Sequence, residues 1–256
     1  MQPLLNDIKP LRIGLNTEIS KPVTLLSVKT GALNSRLYTL GNLSSTIGRA
    51  KSRKTAYESI IIGVLLGNNI NIKKFTKEHN PENILLFDTE QQDYELKRIV
   101  NNIYNISGKE IQPYLLMPYR SDERLAFILK EVGKFKNSFI VIDGIRDLVM
   151  SINSEEEAVD TVQDFKTLAY EKNNHIECVI HVNPTDNNTK ARGWLGTEIM
   201  NKSESVVLIT KEKGNAMNSK IHSEYLRDRD FGDFYIYFDE QGIPRISDID
   251  NEAIPF

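Results

Sequence analysis

The chain has a single cysteine, Cys178, so no intrachain disulfide can form. A reducing compartment fits such sparing use of thiols. Cys178 lies inside the apolar run 176–182, where a thiol is expected to pack rather than to attack. There is no excess of positive charge either: 32 Lys and Arg against 35 Asp and Glu give a net charge of −3 and a pI near 5.9. That balance excludes a broadly basic surface that coats nucleic acid, so any such contact has to be local, on a few loops of an acidic body. Apolar runs are short, none approaching the roughly 18 residues that cross a bilayer. The opening Met-Gln-Pro-Leu-Leu-Asn-Asp lacks the basic-then-apolar order of a secretory signal. Internal repeats, low-complexity tracts and a clear linker are also missing. The expectation is a cytoplasmic protein with no membrane contact.

What is present is ordinary globular composition. The chain has 256 residues, 40% apolar and 26% charged, enough to bury a substantial core in one α/β domain. Residues 1–36 read as an irregular lead-in with a short strand at 23–28. An apolar run at 37–47 precedes a glycine-containing turn, and 56–66 has helical character. Residues 68–83 are polar and read as a surface connection. NILLFD, 83–88, is a short apolar run of the kind buried in a parallel sheet. A helix is expected over 91–106, with Tyr94, Ile99, Ile103 and Ile106 on its apolar face. A strand follows at 111–117, then a helix from Ser121 whose stripe is Leu125, Ile128, Leu129 and Val132. SFIVID, 138–143, is the most strand-like run in the chain. A helix over 155–172 begins after Ser154 as N-cap. Strands at 177–182 and 205–210 follow, the first ending in a polar loop, 183–192. Runs 221–226 and 234–238 look like a closing antiparallel edge pair. Strands alternating with helices predict a mostly parallel sheet flanked by helices.

The segment GRAKSRKT, 48–55, stands where a strand gives way to a helix. In the standard phosphate-binding pattern G-x-x-x-x-G-K-[ST], backbone N–H groups of a tight loop wrap phosphates at a helix N-terminus. Here Gly48, Arg49, Ala50, Lys51, Ser52 and Arg53 would form the cradle. Lys54 would bring a point charge to the β/γ oxygens, and the Thr55 hydroxyl would hold Mg²⁺. One residue departs from the pattern: Arg53 replaces the second glycine, which is tolerable only if its φ stays negative. Asp143, ending an apolar strand, matches the acid that holds the Mg²⁺ shell. Asp88-Thr89-Glu90 ends another strand, where Glu90 would orient and deprotonate an attacking water. His181 and Asn183, at the end of the next strand, would sense the γ-phosphate. Each of these also has a bland reading: an exposed basic turn, a capping Asp, first-turn acids, a structural histidine.

Taken in order, these motifs resemble the RecA-like ATPases, particularly the hexameric-helicase branch of DnaB and the plasmid RepA helicases. The resemblance covers about residues 38–240, and GRAKSRKT is similar to a variant loop of ATPases from mobile elements of Bacteroides type. It implies a RecA-like P-loop NTPase fold over 37–240, with 1–36 as lead-in and 241–256 as a C-terminal tail. It implies ATP and Mg²⁺ as ligands and Glu90 as catalytic base. Asp143 is followed by Gly144 rather than Glu, which separates the chain from AAA+ proteins. Arg227-Asp228-Arg229 resembles the basic finger that hexameric relatives insert into a neighbour's site, with Arg229 acting in trans and Arg227 beside it. Lys190 and Arg192, in the loop after the sensor strand, would contact single-stranded DNA once repeated around a ring. The implied activity is a ring-forming, ATP-driven DNA helicase or translocase in plasmid or mobile-element replication, with other replication or mobilisation proteins as partners. Two alternatives stay open: a RecA-fold nucleotide switch without unwinding, and a non-catalytic scaffold whose phosphate site Arg53 has closed.

Overall fold

Alternation along the central strands sets the architecture. In β7 (Phe139–Asp143), Phe139 and Val141 enter one core while Ile140 and Ile142 enter the other, all fully buried. A strand apolar on both faces needs cover on both sides. The computed structural model describes residues 11–67, 72–183, 191–212 and 215–247. Among these residues the main sheet has nine strands. A parallel block consists of β3 (Leu43–Gly48), β5 (Ile84–Asp88), β6 (Tyr114–Leu115), β7, β8 (His175–His181) and β9 (Ser205–Glu212). Across the sheet these run β9-β3-β8-β7-β5-β6. Beyond β9 the pairing turns antiparallel through β10 (Asn215–Leu226), β11 (Phe234–Phe238) and β12 (Pro244–Ser247). The sequence-based expectation of a mostly parallel sheet with an antiparallel C-terminal edge is what the structure has.

One face is covered by α1 (Lys54–Leu66), α2 (Asp93–Ser107) and a separate three-stranded antiparallel sheet. That small sheet pairs β1 (Thr24–Thr30) with β2 (Leu33–Thr39) and with β4 (Phe75–Lys77). The opposite face carries α3 (Ser121–Val132), α4 (Glu155–Lys172) and α5 (Gly193–Lys202). Local chemistry fixes the ends. Ser154 Oγ accepts the Glu157 N–H at 3.2 Å and Asn173 closes α4 in the left-handed region; Gly108 closes α2 likewise.

Several expectations need correction. The lead-in over 1–36 contains β1 and the start of β2, whose Leu25, Leu26, Val28 and Leu37 belong to the core. The boundary at 37 therefore cuts a strand, and the one at 240 cuts the β11–β12 pair. The run 37–47 is two strands joined by a turn at 40–42, because β2 and β3 belong to different sheets. The polar connection over 68–83 includes β4, and the strand at 111–117 shrinks to Tyr114–Leu115. In α2 Tyr94 is 72% exposed, and Leu96 and Val100 join Ile99 and Ile103 in the core instead. α5 was not expected at all; its Leu195 and Ile199 are buried against the sheet. No helix among the described residues is long and apolar enough to cross a membrane.

Candidate active site

β3 ends at Gly48 and the chain turns through 49–53 into α1, with Ser52 N–H donating to the Arg49 carbonyl at 3.1 Å. Gly48 is needed for space: a Cβ there would lie 2.5 Å from both the Ile209 carbonyl oxygen and Ser52 Oγ. Lys51 and Arg53 both have positive φ, 63° and 77°. Arg53 therefore does not keep the negative φ that the sequence reading required of it. It occupies the left-handed region that glycine enters freely, at a cost for an L side chain of about 1–2 kcal/mol. As the residue preceding α1 it makes no side-chain cap, so the first N–H groups of the helix are left to an outside acceptor. Its guanidinium carbon lies 5.2 Å from the centroid of the Phe238 ring. A cation so placed gains about 0.5–2 kcal/mol, more as it is desolvated, and partial burial does lower the Arg53 pKa.

Five side chains from four elements meet beside this loop. Lys54 Nζ donates to the Gly48 and Arg49 carbonyls, each at 3.1 Å, and lies 2.9 Å from His181 Nδ1. Ammonium groups only donate, so Nδ1 accepts, Nε2 carries the ring proton, and that N–H faces Glu90 Oε1 at 3.3 Å. Lys54, His181 and Glu90 thus form a relay from the loop to the candidate base. Thr55 Oγ1 donates to Asp143 Oδ2 at 2.9 Å. Burial lowers the Lys54 pKa, while nearby Asp143 and Glu90 oppose this. Asp143 is pushed up to about 6, by burial first and the Glu90 charge second. The hydrogen bond from His181 holds Glu90 below the usual carboxylate range despite its burial, so it is ionised at neutral pH. These residues line a cavity of about 360 Å³ together with 50–53 and Gln91.

The base is aimed by residues to which the sequence assigned no role of their own. Asp88 and Asp143 are register partners at the ends of β5 and β7. Asp88 Oδ1 accepts the N–H groups of Glu90 (3.0 Å) and Gln91 (2.7 Å), which fixes the turn after β5. Burial, then the Asp143 charge, pushes Asp88 up to about 7. Thr89 N–H donates to the Asp143 carbonyl at 2.7 Å and Thr89 Oγ1 to the Gly144 carbonyl at 2.8 Å, joining the two strand ends. A Cβ on Gly144 would stand 2.1 Å from Glu90 Oε1. Gly144 is thus required for the Glu90 side chain to lie where it does; the only sequence signal was its place directly after Asp143.

The donor set fits a phosphate chain with a hard cation. Ser52 Oγ is buried in the loop and has no hydrogen-bond partner among the described residues. The Thr55 hydroxyl and the Asp143 carboxylate form an adjacent oxygen pair, suited to Mg²⁺, which keeps the rest of its shell from water and phosphate. Among the described residues no group of three or more His, Cys, Asp or Glu side chains forms a ready-made metal cage. A second recess adjoins the first at Thr55 and Gln91, lined further by Ala56, Ser59, Arg98, Asn102 and Phe238. It gives room for a ligand that extends beyond its phosphates.

Other candidates lie elsewhere. Arg227 Nη1 donates to Asn42 Oδ1 at 3.3 Å, before the start of β3, whereas the loop follows its end. Six strand residues span about 20 Å, so Arg227 and its exposed neighbour Arg229 are at the far end of the sheet from their own chain's cavity. Asp228, between them, accepts from the Arg36 backbone N–H at 3.0 Å and pairs with the Arg36 side chain at 3.2 Å. Asn183 is half-buried just beyond β8 and does not line the cavity. Arg192 is exposed at the start of α5, its N–H bonded to the His181 carbonyl at 2.9 Å. Lys190 lies outside the described residues.

No protein-family model matches the chain, and no curated protein matches its sequence. Among solved structures it is similar to the RadB recombinase, at a TM-score of 0.56 and 15% identity, over 84% of this chain and 94% of that one. At that identity the likeness speaks for architecture alone: the chain has a RecA-like fold, an α/β sheet with helices on both faces and an antiparallel C-terminal edge.

Proposed function

We propose that this chain is a Mg²⁺-dependent ATPase of the RecA type that assembles into a ring and moves on single-stranded DNA, in the replication of a plasmid or mobile element. The observation that carries the ATPase reading is the convergence of Lys54, Thr55, Asp143, His181 and Glu90 on one cavity at a helix N-terminus. The loop N–H groups and Lys54 bind the phosphates, and Thr55 with Asp143 holds the cation. Mg²⁺, when bound, neutralises charge on the phosphate oxygens. Glu90, ionised and supported by Thr89, Asp88 and Gly144, orients water and accepts its proton. His181 couples the two halves: as Lys54 turns from Nδ1 to phosphate, the ring is freed to move, and its Nε2–H contact with Glu90 moves with it.

The distance of Arg229 from its own chain's cavity supports a role in a neighbour's site, hence a ring. For DNA, Arg192 is exposed at the C-terminal end of the parallel strands, and Trp194, two residues on, is 48% exposed. An arginine beside an accessible indole offers a phosphate contact and a stacking face. The test is the ATPase rate with and without single-stranded DNA. Stimulation that declines with salt and is lost in Lys54→Ala and Glu90→Gln is the expected result. Hydrolysis indifferent to DNA would leave a nucleotide switch, and absence of nucleotide binding would remove the ATPase reading altogether.

A further inference from the structure

We propose that Phe238 is a positioning residue that holds the phosphate loop in its binding shape by stacking on Arg53, taking the part that a glycine at position 53 would play by itself. Its consequence for nucleotide affinity rests on the ATPase reading above; its effect on the loop does not.

The argument starts from backbone geometry. At φ 77° Arg53 sets the directions of the next peptide groups, those that open α1. An L side chain leaves that region for the right-handed or extended one unless something retains it. The guanidinium stacked on Phe238 at 5.2 Å is such a contact, and its strength matches the strain it has to offset. Phe238 is well fixed for this purpose. It ends β11, pairs with Pro244 of β12, and follows Tyr237, which pairs with Asn218 of β10. Its ring packs against the core and lines the recess beside Thr55 and Ala56, in the first turn of α1. The neighbouring β9 backs the other end of the loop, where the Ile209 carbonyl leaves no room for a Cβ on Gly48. Both ends of the loop are therefore braced by the C-terminal half of the sheet, one by steric contact and one by the Arg53–Phe238 stack.

Phe238→Leu tests this, because leucine keeps apolar packing and removes the ring face. Hydrogen exchange at the amides of 52–55, measured without nucleotide, is expected to quicken about tenfold, the change that about 1.4 kcal/mol produces. MgATP affinity is expected to weaken by a similar factor, while Phe238→Tyr retains both properties. In an Arg53→Gly background the same Phe238→Leu change is expected to leave the exchange of 52–55 without nucleotide unaltered, since the strain and the cation are gone together. Unchanged exchange in Phe238→Leu, or an equal effect on exchange with Arg53 and with Gly at that position, overturns the proposal. If the unmodified chain binds no nucleotide, the ATPase reading falls while the exchange measurement still decides the role of Phe238.

Discussion

At the residue scale, the site depends on contacts between strand ends that neighbour each other in the sheet but are distant in the chain. Glu90 and Gly144 are the sharpest instance. Replacing Glu90 by Gln keeps its shape and removes its basicity, so hydrolysis is expected to fall by about 10²–10⁴ while nucleotide still binds; a steady-state assay beside a fluorescent-nucleotide titration separates the two. Gly144→Ala acts on the same carboxylate by displacement, since its Cβ would stand 2.1 Å from Glu90 Oε1. A shift near 1 Å costs about 100-fold, so kcat is expected to drop with little change in nucleotide affinity. Normal turnover in Gly144→Ala would mean that Glu90 is not the base. The identities of Lys54, Thr55, Glu90 and Asp143 were legible because each ends or follows an apolar run. The φ of Arg53 was not: nothing in GRAKSRKT indicates that a phenylalanine 185 positions later, Phe238, stacks on its side chain.

At the element scale, α1 does more than present the loop. Its Glu58 is buried on the face where β3 and β8 present Ser44, Thr46 and Glu177. Ser44 Oγ donates to Glu177 Oε2. Burial raises the pKa of Glu58 well above the usual range and pushes Glu177 to about 8. Both carboxyls are therefore protonated in the folded chain at neutral pH. The unfolded chain releases these protons near 4.5, so their contribution to stability is complete below that pH and declines as pH rises towards 8. Glu177→Gln is expected to raise Tm at pH 8 by about 2–4 °C, the effect of roughly 1 kcal/mol in a chain of this size, with the gain vanishing near pH 5. A gain independent of pH in thermal melts would count against protonated carboxyls. His175 acts on the acid side: burial holds its pKa down to about 4, so stability falls as pH drops from 6.5 through that value. Helices with a clear stripe or cap, such as α4 after Ser154, were legible. α5 was not, because Gly193 and Gly196 look like turn residues; Gly193 is required because a Cβ would lie 2.6 Å from the Ile152 carbonyl oxygen.

At the scale of the whole molecule, the cavity is at one end of the parallel strands and Arg227 and Arg229 are at the other. A finger from this chain therefore serves a second copy or none. Mixing Arg229→Ala subunits with Glu90→Gln subunits is expected to restore part of the activity that each lacks alone, because some interfaces then join an intact base to an intact arginine. No recovery at any mixing ratio, with mixed assembly verified, sinks the trans assignment.

Sequence alone determined the alternation of strands and helices through the parallel core and the residue types at the cavity, because these follow from local apolar patterning and from chemistry concentrated at strand ends. Tertiary structure decided the rest. It assigned β1 and β2 to a second sheet, made Gly144 the space for Glu90, joined Lys54 to Glu90 through His181, and set Phe238 against Arg53. Each of these depends on which strands lie side by side, and the order β9-β3-β8-β7 comes from covering both faces of the sheet, a requirement on the whole chain rather than on any segment.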